Sequence, residues 1–235
     1  MDPWELIKEG HYAEAVNAYS KLLRRKKSAP NHANRGIAYL NLGDYDKALA
    51  DFHAADKCFC RTSDGYLQSV GVAHWLAGRE SEAVATWQDL VLAIEHRKIE
   101  YTDGAGGVSA ACLLWFAGVR LGQDNLIEVA RRLLTNKATR KSGQNWRIEN
   151  WPGPIAQFLL DRLSEPELRE RITDVPIARE RELCAAEFYV GVRALHAGDE
   201  AEAERALGKA AAMHTAKIEH EYYLARHETK VARGG

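Results

Sequence analysis

The chain has almost no net charge: 32 Lys and Arg against 33 Asp and Glu leave −1 at neutral pH. A protein that coats nucleic acid or an anionic membrane gains from counterion release only with a strong basic excess, so neither partner is expected as a bulk property. Long hydrophobic runs are missing too. The longest nearly uncharged stretch, Gly104 to Gly118, is Gly-rich and falls short of the about 20 apolar residues that a spanning helix needs. The opening MDPWELIKEGHYAEAV has no basic start followed by an apolar core, so no secretory signal is expected and the expected location is the cytoplasm. Only four cysteines occur, Cys58, Cys60, Cys112 and Cys184. Their spacings fit neither a zinc site nor a disulfide framework, and free thiols serving as small core residues are expected.

Chemistry-bearing motifs are equally scarce. The GAGG at 104 to 107 lacks the Lys-Ser/Thr of a phosphate loop and the spacing of a dinucleotide fingerprint. No Gly-x-Ser-x-Gly elbow exists. Nine histidines are present, but His214, His220 and His227 are six and seven residues apart, not at the i, i+4 spacing that lets one helix face grip a metal. The acids at Glu165, Glu167 and Glu170, and at Asp199, Glu200, Glu202 and Glu204, fall at helix starts, where the macrodipole explains them. The expectation is therefore no enzyme, no metal and no cofactor.

What the sequence does have is an internal repeat. Segments 34–55, 68–90 and 188–211 superpose without a gap. Each carries a first Gly (Gly36, Gly71, Gly191) and a second Gly seven residues on (Gly43, Gly78, Gly198). An Ala follows five residues later (Ala48, Ala83, Ala203), then a large apolar residue after four more (Phe52, Trp87, Leu207). The first Gly predicts a close helix crossing and the second a left-handed helix C-cap. The Ala and the large residue share one face of the next helix. A partial copy opens the chain (Gly10, Tyr12, Ala15, Tyr19), and a degenerate one lies at Trp115 to Arg131 with Gly122 as its turn.

This spacing resembles the tetratricopeptide repeat (TPR), and Gly43-Asp44-Tyr45 matches its turn closely. The order TrpPro at 151 and 152, PheLeuLeu at 158 to 160, Leu183-Cys184, then GlyAsp at 198 and a closing Glu219-x-Glu221-Tyr222 resembles the C-terminal part of bacterial TPR proteins of the NlpI lipoprotein type. The resemblance implies an all-α, right-handed α-solenoid of roughly 11 to 13 helices. Residues 1–95 would form TPR-like repeats, 96–150 an insertion loop, degenerate repeat and basic linker, and 151–235 a helical repeat region with a capping helix, together one continuous solenoid. The stretch around 96–107 is read as a mobile loop. A short helix is expected at 154–163, helix starts at Ser164 and near Pro176, and a last helix from Thr215 to Ala232.

The resemblance also implies a function. A TPR stack holds a polypeptide partner in a concave groove lined by the first helix of each hairpin. The candidates in that lining are Ile37, Asn41, Gln68, Val72, Trp75, Phe116, Arg120, Phe188, Val192 and His196. Alternatively a second copy, or the chain's own last helix, fills the groove. The clamp for chaperone tails is not expected, because its places hold Ala33, Ile37, Gly65 and Ser69. The expected function is a non-catalytic scaffold or adaptor. A specialised form is an immunity-type protein that masks a toxin. The alternative class is an RNA-binding helical repeat using two acid-free basic stretches, 21–35 and 131–147, the second with Trp146 inside it.

Overall fold

The computed structural model describes residues 2–58, 64–139 and 147–234. All of its regular elements are helical among the described residues, as the repeat spacing predicts. The chain divides into two compact units, residues 1–100 and 101–235. Beyond residue 100, the segment expected as a separate middle region belongs to the second unit.

The first unit is three antiparallel hairpins: α1 (Pro3–Glu9) with α2 (Tyr12–Arg25), α3 (Ala29–Leu42) with α4 (Tyr45–Cys58), and α5 (Gly65–Leu76) with α6 (Glu80–Glu95). Consecutive hairpins stack through α2 on α3 and α4 on α5. The truncated first copy is thus a complete, short-armed hairpin. Asp2 caps α1 by accepting a hydrogen bond from the Trp4 amide at 3.2 Å, offsetting one of the orphan donors at the helix start.

Each hairpin closes as the spacing predicts. Gly43 turns the chain at φ +77° with nothing within 4 Å of a Cβ placed there, so its requirement is conformational. Gly71 has the opposite reason: a Cβ would lie 2.2 Å from Trp87 Nε1. The same 16-residue partnership recurs at Gly36 with Phe52 and at Gly191 with Leu207, each leaving 2.7 Å for a Cβ. Trp87, Phe52 and Leu207 are buried, and each such side chain contributes about 1.5–3 kcal/mol of transfer free energy.

The second unit opens with the degenerate hairpin, α7 (Val108–Leu121) and α8 (Asp124–Thr139). There both contacts are built differently. Trp115 stands where the other copies have Gly, and the partner position 16 residues on is Arg131, whose guanidinium lies 4.8 Å from the indole centroid. Ile127 stands where the others have Ala, and Gly118 opposes it, with 2.7 Å between a Cβ and Ile127 Cγ1. Close packing is kept by a stacked Arg131–Trp115 pair and by the glycine at 118 opposite Ile127.

The short helices α9 (Gly153–Leu159) and α10 (Glu165–Glu170) follow. Ser164 and Glu167 form a full capping box on α10. The long α11 (Pro176–Ala197) pairs with α12 (Glu200–Ala212), and a 3-10 turn at His214–Ala216 leads into α13 (His220–Gly234). The last helix therefore starts five residues later than expected, because the 3-10 turn occupies 214–216.

One carboxylate organises the loop that leads into α7. Asp103 accepts from the Ala105 and Gly107 amides on one oxygen (2.9 and 2.8 Å) and from the Ser109 amide and hydroxyl on the other (3.0 and 2.9 Å). It thereby satisfies donors at the start of α7. The Gly104 carbonyl in turn accepts from the Arg147 amide at 3.0 Å and the Asn150 side chain at 3.3 Å. The glycines serve two ends here: a Cβ on Gly104 would meet Asn150 Cβ at 3.2 Å, while Gly106 and Gly107 adopt left-handed φ of 91° and 86°.

Candidate functional site

Six of the ten groove candidates are taken up by the chain's own packing. Gln68, Val72 and Trp75 on α5 are buried. The Trp75 and Trp87 rings lie 5.9 Å apart, and Gln68 donates to Asp64 at 2.8 Å. Phe116 on α7 and Phe188 on α11 are buried against each other with centroids 5.2 Å apart, and Val192 is fully buried. The correction has a simple cause. Helical periodicity identifies an apolar face but not whether a neighbouring helix or a partner covers it. In the second unit α13 packs on α11 and α12, and its buried Glu228 pairs with Arg120 on α7.

Four candidates remain on the surface. Ile37 and Asn41 are half-buried on α3, with the Asn41 amide donating to the Ile37 carbonyl at 2.9 Å. His196 is exposed near the end of α11. Arg120 is partly exposed and held by Glu228. Near the α3 face, an open cleft of about 540 Å³ lies between the α3–α4 turn and the end of α5. Leu42, Tyr45, Leu76 and Arg79 line it, and Arg79 bridges to Asp46 at 2.6 Å.

A polar knot beside this face carries no repeat signature. Asp51, almost fully buried on α4, accepts from Arg35 at 2.7 and 2.8 Å and lies 2.8 Å from His32 Nδ1. Arg35 also donates to Ser20 at 2.9 Å, tying α2, α3 and α4 together. The hydrogen bond to Asp51 holds the Arg35 guanidinium above its ordinary pKa. A usable signal existed in the sequence: Asp51 immediately precedes Phe52, where the other clear copies carry Thr86 and Ala206.

The two buried thiols and a buried phenol of the second unit are held in their protonated forms. Burial raises the Cys112 and Cys184 thiols and the Tyr189 phenol, so neither thiol is readily the thiolate that nucleophilic chemistry needs. Cys58, expected in the core, is exposed instead, and Cys60 lies outside the described residues. No group of three or more metal-ligating side chains occurs among the described residues. Nor is any described helix long and apolar enough to cross a membrane.

The two basic stretches fare differently. Arg35 is withdrawn from the first by Asp51. In the second, Arg131 lies over Trp115 and pairs with Glu128 at 3.3 Å, while the Lys137 ammonium lies 4.8 Å from the Tyr101 ring centroid. Arg140, Lys141 and Trp146 lie outside the described residues.

No family profile matches the chain, and no curated protein matches it. Among solved structures it is similar to the C-terminal part of a TPR repeat-containing protein from Cytophaga hutchinsonii, at 17% identity over 88% of this chain and 92% of that one, with a TM-score of 0.32. On the geometry of its own hairpins, the chain is an all-α protein of TPR-like helix pairs.

Proposed function

We propose that the protein is a non-catalytic scaffold or adaptor in the cytoplasm that holds a polypeptide. Its contact surface in the first unit is the α3 face bearing Ile37 and Asn41, with the adjoining cleft at Leu42 and Tyr45. The observation that carries this reading is the repeated hairpin closure. Each clear copy uses its one large residue to seal its own first-helix glycine, and within the first unit consecutive hairpins stack helix on helix, a form suited to an extended or helical peptide. The motif order of the C-terminal third, similar to bacterial adaptor-type TPR proteins, supports the same reading.

The decisive experiment uses surface positions, because Trp75 and Phe116 are core residues and their removal would damage the fold. The full chain is used to recover partners, which are identified by mass spectrometry. Ile37→Glu is expected to abolish recovery of the main partner with unchanged circular dichroism. Undiminished recovery would move the contact surface away from α3 and overturn this assignment.

A further inference from the structure

One surface of the first unit is left electrostatically incomplete. The end of α2 and the residues just past it present Lys21, Arg24, Arg25, Lys26 and Lys27, all exposed. None of the five has an acid partner among the described residues. Elsewhere in the same unit Lys8, Lys47 and Arg79 are answered locally, by Glu5 at 2.6 Å, Asp44 at 2.5 Å and Asp46 at 2.6 Å, and the other exposed described cations, Lys57, Arg97 and Lys98, form no cluster of this size.

The helix macrodipole accounts for only part of this cluster. Its effect is confined to the last turn, which holds Arg24 and Arg25. Lys21 sits a turn earlier, and Lys26 already has extended backbone (φ −151°, ψ 123°). Lys21, Arg24 and Arg25 share a face at i, i+3 and i+4 spacing. Leu22, 37% exposed, stands at i, i+3 from Arg25, at the edge of this face.

We infer that this basic tip of α2 docks an acidic polypeptide segment carrying an apolar residue, with the five cations facing its carboxylates and Leu22 its side chain. The inference rests on the polypeptide-binding reading above and gives the partner its chemistry. Charge complementarity chooses an acidic ligand, and three observations favour a peptide over a nucleic acid. The cluster spans one helix end and contains no aromatic ring on which a base could stack. Arg35, which would extend it, is committed to Asp51. Arg131 and Lys137, in the other basic stretch, lie over the chain's own Trp115 and Tyr101.

The test is fluorescence anisotropy on the full chain with three probes: a labelled peptide of alternating Glu pairs and Leu, the same peptide with Gln for Glu, and an oligouridine of equal charge. Two double variants are compared, R24E/R25E and K26E/K27E. The second lies at the C-cap and the residue after it, so circular dichroism of both variants separates loss of helix from loss of binding. The Glu peptide is expected to bind, the Gln peptide to bind at least about tenfold more weakly, and each double variant to lose at least about tenfold in affinity for the Glu peptide. Equal binding of both peptides, an affinity within about twofold of wild type in K26E/K27E, or about tenfold tighter binding of oligouridine would each overturn the inference. A partner recovered equally by K26E/K27E and wild type, but lost on Ile37→Glu, would overturn the acidic-docking inference while leaving the scaffold function standing.

Discussion

The Arg131 guanidinium lies 4.8 Å from the centroid of the Trp115 ring, and these two residues occupy the places that the clear hairpins give to a large apolar residue and a glycine. The glycine of the first helix has become an indole, and the knob of the second has become a guanidinium that lies over it. This replacement explains why this copy, which keeps the turn at Gly122, loses the rest of the repeat pattern.

The replacement predicts non-additive mutants. Arg131→Phe should destabilise the chain by about 1–3 kcal/mol, because a second ring is forced against Trp115. Trp115→Gly alone should cost at least about 3 kcal/mol through the cavity it leaves. The double variant restores the ordinary arrangement and should be more stable than the sum of the singles by at least about 1 kcal/mol. Urea unfolding of the four proteins measures this, and simple additivity would refute the paired replacement.

Two glycines should respond oppositely to alanine. At Gly71 the new methyl would stand 2.2 Å from Trp87 Nε1, so Gly71→Ala is expected to cost about 1–3 kcal/mol. At Gly208, inside α12, a Cβ meets nothing within 4 Å. Gly208→Ala should stabilise by about 0.4–1 kcal/mol by restricting the unfolded chain. Midpoints of urea denaturation compare the two directly.

The start of α13 carries two opposed titrations. Burial pushes Glu221 up to about 7, helped by Glu219 and opposed by Arg181, and burial pushes His220 down to about 4. Folded Glu221 holds its proton while the unfolded carboxyl, near 4.5, has lost it. Stability from this group therefore falls as pH rises from about 4.5 to about 7. Folded His220 stays neutral while the unfolded ring, near 6.5, is charged, so its contribution falls as pH drops from about 6.5 to about 4. The slopes oppose one another between about 4.5 and 6.5. Glu221→Gln should unmask a melting temperature that rises with pH across that window, and His220→Gln one that falls. Parallel curves for both variants would exclude this arrangement.

Hairpins, turn glycines and the Ser164 cap were legible in the sequence because each is a local requirement, set by residues at fixed short spacings. The surface was less legible. Val72 and Phe188 carry the same apolar pattern whether a partner or a neighbouring helix covers them, and that depends on long-range packing. The Asp103 turn hid behind its glycines, since TDGAGG reads as freedom until the carboxylate is seen to gather the amides that follow it. Arg35 and Lys21 look alike in a basic run, yet one is neutralised by Asp51 from the next helix and the other is not.

The bonds from Gly104 to Arg147 and Asn150 have a mechanical consequence. In a pure repeat array each hairpin touches only its neighbours and can open by itself. Here the segment entering α7 is fastened, from Gly104, to Arg147 and Asn150 in the segment after α8, so the two breaks in the repeat close a ring around the degenerate hairpin. Opening that hairpin must unfasten the ring, and residues 147–159 are drawn into the same cooperative step. The least regular hairpin is thus the one that cannot fray alone.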